Sequence, residues 1–172
     1  MAVMAQARMD KNHGAGRAYK IWQDVKKWAG HFINKTIAGV GYTDKLSKKN
    51  ATPEHKNTIW SAEWTFGAIN MAQVLSKSYK DAGNAAYAES LLKDAQSMLD
   101  ATTETWPKGL QFPDGSYVYA NKRFFIPWGW FSNPIPATCS TAWSAMMRRN
   151  FDPFHWAGGD KPELKTPPNW KK

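Results

Sequence analysis

Four residues, Asp81-Ala82-Gly83-Asn84, separate two runs of helical periodicity and constrain this chain more than any other stretch. Gly83 suits the left-handed position that ends a helix, and Asn84 suits the N-cap of the next. Before the turn, Thr58 to Lys80 carries Trp60, Trp64, Ile69, Met71, Val74 and Leu75, apolar around much of its first half. After it, Ala85 to Thr102 places Tyr87, Leu91, Leu92, Ala95 and Met98 on one face. So short a connection makes the two helices antiparallel neighbours.

A further amphipathic helix is expected over Ala15 to Ile37, with Trp22, Val25, Ala29, Phe32 and Thr36 at three- and four-residue spacing. Ala38 to Asn57, rich in Gly, Asn and Lys, reads as a long loop. From Trp106 the pattern changes. A Pro-Asp-Gly turn at 113–115 predicts a short β-hairpin, the run Pro127 to Pro134 reads as an aromatic loop, and a last helix is expected over Ser140 to Arg149 with Ser140 as N-cap. The fold class is therefore mainly α, in one domain over 1–157, followed by a loose basic tail over 158–172.

At 172 residues with 10 Trp, 6 Tyr and 8 Phe, the chain can bury a sizeable core despite a mean hydropathy of −0.60. No apolar run is long enough to span a bilayer, and the N-terminus lacks the apolar core of a signal peptide, so a soluble protein is expected, secreted or periplasmic if a leader was removed. Cys139 is the sole cysteine, which excludes an internal disulfide and a cysteine-based zinc cluster. It stands at an expected helix start, where the blander reading is a small buried residue and the sharper one a reactive thiolate. The four histidines are scattered, so neither a metal nor a cofactor is expected.

The net charge of +9 is uneven: Met1–Asn57 has 11 Lys/Arg against 4 Asp/Glu, whereas Thr58–Thr105 has 3 against 6. Basic chains attract anionic polymers, but the densest lysine clusters lie in loop-like sequence, which leaves nucleic-acid binding the least favoured reading.

Glu63 is the first candidate for chemistry. In IWSAEWTFGAIN it stands between Trp60 and Trp64, which a helix begun at Thr58 would place on one face. Indole faces stack on sugars and desolvate a nearby carboxyl toward general-acid duty. The alternative is a core pair of tryptophans beside an acid that favours a helix N-terminus. Asp44, in the long loop, is a candidate second carboxyl, because glycosidases work with two; its alternative is a turn residue. Asp114 is explained by its turn and Asp152 by the proline that follows it. Trp128 and Trp130, in irregular sequence, are either a ligand-binding wall or a satellite core.

GYTD at 41–44, WSAEWTFGAINMA at 60–72 and STAW with NFDPF at 140–154 resemble the C-terminal portion of bacterial α/α-toroid, glycoside-hydrolase-like proteins. The resemblance implies antiparallel helical hairpins of a partial toroid, with acidic and aromatic residues around a carbohydrate cleft. It implies Glu63 and Asp44 as the catalytic pair and Trp60, Trp64, Tyr42, Trp128 and Trp130 as saccharide contacts. About four helices are far fewer than a full ring, so an oligosaccharide or polysaccharide ligand comes with a second expectation: self-association, or a partner chain that completes the toroid. A non-catalytic glycan-binding or assembly module is the alternative.

Overall fold

The expected turn forms and organises the molecule, which a computed structural model describes over residues 16–42, 59–126, 129–155 and 160–170. Among these residues the elements run α1 (Arg17–Ala29), β1 (Gly30–Ile33), β2 (Thr36–Val40), α2 (Ala62–Asp81), α3 (Ala85–Thr102), β3 (Phe124–Ile126), β4 (Trp130–Ser132) and α4 (Thr138–Arg148). The fold is mainly α, with two small antiparallel sheets. No described helix is long and apolar enough to cross a membrane.

Between α2 and α3, Gly83 takes φ +77°, and the amides of Gly83 and Asn84 turn back to Lys80 O at 3.0 Å and Tyr79 O at 2.8 Å. The Asn84 side chain then accepts from the Tyr87 amide at 3.2 Å, satisfying one of the free donors at the start of α3. Asn84→Ala is expected to remove about 1 kcal/mol of stability, read as a lower urea midpoint with an unchanged slope.

Three expected boundaries are corrected. The first helix stops at Ala29 rather than Ile37, because Gly30 leaves it in extended conformation (φ −69°, ψ 135°) and the chain enters a hairpin. Asn34 and Lys35, at φ 48° and 66°, make a two-residue turn whose twist matches the paired strands Gly30–Ile33 and Thr36–Val40. The second helix starts at Ala62, not Thr58: Ile59 and Trp60 are not helical, and the amide of the extended N-cap Ser61 reaches Val40 O at 3.1 Å. Gly39 permits this close approach, since a Cβ there would overlap Trp60 Nε1 and Thr65 Oγ1. Helix α4 begins at Thr138 behind an extended Ala137, so Ser140 is a buried first-turn residue and not the cap.

The β-structure is also redistributed. Asp114 makes the expected turn, accepting from Ser116 N at 2.9 Å, but its flanks join only through the single bridge Gln111–Tyr117. The two-stranded sheet forms later, Phe124–Ile126 against Trp130–Ser132, in part of the run expected as a loop, with Gly129 at φ +100° between the strands.

The core lies where α2 and α3 meet and is closed on one side by α1. Phe66, Leu75, Leu91, Met98 and Leu99 are buried there. Trp22 donates its indole N–H to Asp94 Oδ2 at 2.8 Å, and Tyr19 stacks on Tyr87 at 4.1 Å. The 160–170 segment, expected as part of a loose tail, packs against this body. Lys161 is only 4% exposed, Lys165 and Gln96 exchange two hydrogen bonds at 2.8 and 3.0 Å, and Trp170 donates to Tyr117 Oη at 2.9 Å. The apolar ring of Trp170 and the partnered polar groups make docking favourable where composition alone suggested solvation.

Candidate functional site

Helices α2 and α4 bring their N-terminal turns together, and this junction places Glu63 opposite Cys139. Partial desolvation of its sulfur and then the Glu63 carboxylate, which accepts from the thiol, hold Cys139 above the usual thiol range although the residue is exposed at the surface. Its helix-start position does not outweigh these two effects, so the thiol stays protonated near neutral pH. The reading of Cys139 as a buried apolar residue is corrected, because the side chain is exposed.

Tyr119 completes the cluster. Its hydroxyl accepts a hydrogen bond from the Trp64 indole; burial, the nearby charge of Glu63 and, at high pH, that of the Cys139 thiolate raise its pKa. The Tyr119 ring lies 5.9 Å from that of Tyr42, and Tyr42 donates to Ser132 Oγ, which in turn bonds Phe124 O at 3.3 Å. Burial likewise pushes the Tyr42 phenol up, the Ser132 hydrogen bond opposing it. The site thus runs from an aromatic floor, Tyr42 on Tyr119, to a polar end at Glu63.

Trp64 is 49% exposed beside this cluster and presents an indole to solvent. Trp60 does not join it. At 3% exposure it is buried, its ring stacked on His31 at 5.1 Å. The expected shelf of two indoles fails because Trp60 lies ahead of the helix, where one-turn spacing does not apply. Asp44 and Trp128 lie outside the described residues. Trp130 is in β4, paired with Ile126. Asp114 is occupied by Ser116, and Asp152 is buried, accepting from Asn70 Nδ2 at 2.9 Å and Phe154 N at 3.0 Å.

Among the described residues no group of three or more His, Cys, Asp and Glu is placed to hold a metal ion. The junction can accept hydrogen bonds at Glu63, donate or accept at Tyr119, and offer an apolar ring face at Trp64. Cys139 and Tyr119 were missed as members of this site. The one sequence signal was the position of Cys139 at a helix start, and nothing local linked it to Glu63.

Comparison with protein families, curated proteins and solved structures finds no match to this chain.

Proposed function

We propose that this chain is a carbohydrate-active domain that binds a saccharide across Trp64, Tyr119 and Glu63. The observation that carries this reading is a half-exposed indole next to a carboxylate at the mouth of an aromatic cluster. Such a pairing suits a pyranose, whose C–H face stacks on the ring while its hydroxyls donate to the carboxylate. The net charge of +9 favours acidic glycans among the candidates. Glycosidic hydrolysis would take Glu63 as acid and Asp44 as the opposite carboxyl. The helical hairpin, on the same reading, is part of an α/α toroid. Exposed Trp28, Phe32 and Ile33 suit a second copy or partner chain that extends it.

Fluorescence titration against neutral and acidic oligosaccharides, with reducing-end release measured in the same samples, tests the reading. Binding should weaken on the order of tenfold in Trp64→Ala, with little change in melting temperature because the ring is half exposed. If hydrolysis is the reaction, Glu63→Gln keeps the fold and abolishes release. Failure of every glycan to bind the native protein sinks the proposal, and binding without release reduces it to the non-catalytic module.

A further inference from the structure

Three polar side chains meet in the interior where the docked 160–170 segment lies against α2 and the stretch just beyond α4. Asn70 of α2 is fully buried, and Asp152 and Lys161 are 5% and 4% exposed. Asn70 donates through Nδ2 to Asp152 Oδ1 at 2.9 Å, and Lys161 donates through Nζ to Asn70 Oδ1. Phe151 O, at 3.1 Å, and the Met147 sulfur, at 4.0 Å, also contact Nζ. Asn70 is 82 residues from Asp152 and 91 from Lys161, so only the tertiary fold assembles the group.

A buried lysine is ordinarily paired with a carboxylate. Lys161 instead donates to two neutral carbonyl oxygens, while Asp152 turns an oxygen to the asparagine amide. Burial shifts the amine toward its neutral form: the pKa falls to about 8, the Asp152 charge opposing. At pH 7 about one chain in ten then carries a free lone pair on Nζ, against about one in three thousand for an ordinary lysine. A desolvated neutral amine is a nucleophile. Its contact with Asn70 Oδ1 sets it beside Cγ, the electrophilic carbon of that side chain, and Asp152 already touches the nitrogen that would leave. Exclusion of water protects the reacting carbon from hydrolysis.

The geometry points to a covalent cross-link made by the folded chain itself, an amide bond between Lys161 Nζ and Asn70 Cγ, with Asp152 as the proton carrier. The Nζ lone pair attacks Cγ, and the carbonyl π electrons move onto Oδ1. The Asp152 carboxylate takes a proton from Nζ and passes it to Nδ2. The carbonyl re-forms, the Cγ–Nδ2 bond breaks, and ammonia leaves. One C–N bond forms and one breaks; Asp152 ends as it began, and no oxidant, water or further reactant is consumed.

The bond ties the final segment to α2 across 91 residues and restricts the unfolded chain as a disulfide would. With Cys139 the sole cysteine, no internal disulfide could serve instead, and an amide survives reducing conditions. Once joined, Lys161 no longer titrates, so its pH-dependent contribution to folding belongs to the chain before the bond forms. The reaction uses no residue of the Trp64 face and is independent of saccharide binding.

Intact-mass spectrometry of the denatured full chain, after incubation of the folded protein near pH 8, tests the assignment. The native chain is expected to be lighter than its sequence by one ammonia, whereas Lys161→Met keeps its own sequence mass. A digest of the native protein should contain a branched peptide joining Asn70 to Lys161. Asp152→Ala should join at least about a hundredfold more slowly, read in samples whose circular dichroism matches the native protein. A native chain at its full sequence mass overturns the proposal. So does ammonia loss without the branched peptide, the signature of a succinimide at one asparagine. An Asp152→Ala chain that joins at the native rate overturns Asp152 as the proton carrier.

Discussion

Trp22→Ala is expected to remove about 3–5 kcal/mol of stability, the largest single effect foreseen for this protein. The indole is fully buried between α1 and the α2–α3 hairpin, so the substitution opens a cavity that the helices can only partly collapse. It also removes the donor to Asp94 at 2.8 Å, leaving that carboxylate with the Lys26 ammonium at 2.7 Å. Against a total of roughly 5–15 kcal/mol for a domain, such a loss brings unfolding close to ambient temperature. Trp22→Phe separates the two contributions: it keeps most of the ring and loses the hydrogen bond, for an expected cost of about 1–3 kcal/mol. Urea melts of the three proteins check both values. Equal stability of all three would show that α1 does not belong to the cooperative core.

The second large effect follows from Lys161. Its ammonium is buried against Asn70 Oδ1, Phe151 O at 3.1 Å and the Met147 sulfur at 4.0 Å. Burial lowers its pKa to about 8, while the Asp152 carboxylate pulls the other way. The unfolded chain therefore binds the proton more tightly than the folded one. Stability should rise as the pH climbs from about 8 toward the ordinary lysine value near 10.5, by a total on the order of 2–3 kcal/mol. Below about pH 8 both states carry the proton, and this contribution no longer changes with pH. Lys161→Met removes the titrating group, so the difference between native and variant unfolding free energies must change across this window. The buried tyrosines, whose pKa values are raised, oppose folding at still higher pH in both proteins and cancel in the difference. Parallel curves for the two proteins would show that Lys161 is solvated in the folded state.

The α2–α3 hairpin was legible because its signals are local. Gly83 and Asn84 act on backbone groups within five residues, and the last turn of α3 ends at Thr102 as the apolar spacing indicated. Helix α1 was overextended for a related reason. Phe32 and Thr36 continue the helical spacing of Trp22, Val25 and Ala29, yet Asn34 and Lys35 tolerate positive φ and close a hairpin that buries Ile37 and Val40. Periodicity recorded which residues are apolar, and backbone geometry decided which period they obey. Ser61 followed the same logic, drawn into extended structure by Val40 and Ala120, neither of them its neighbour in sequence.

The chemistry was legible only in part. Glu63 and Trp64 stand together because they are adjacent on one helix turn, and that much the residues themselves determine. Cys139 reaches Glu63 through the meeting of α2 and α4, and Tyr119 through a segment held by the Val118–Pro136 and Ala120–Ser61 bridges, contacts set across long separations in the chain. Trp60 was removed from the site by the same force, since burying its ring against His31 gains more than exposing it beside Trp64. The docking of Lys161 and Trp170 likewise has no local signature. Turns, caps and helix content were thus determined by the sequence itself, through interactions spanning a few residues. Which carboxylate met which thiol, which indole faced water and where the final segment docked were decided by tertiary packing alone, because burial depends on what arrives from elsewhere in the chain.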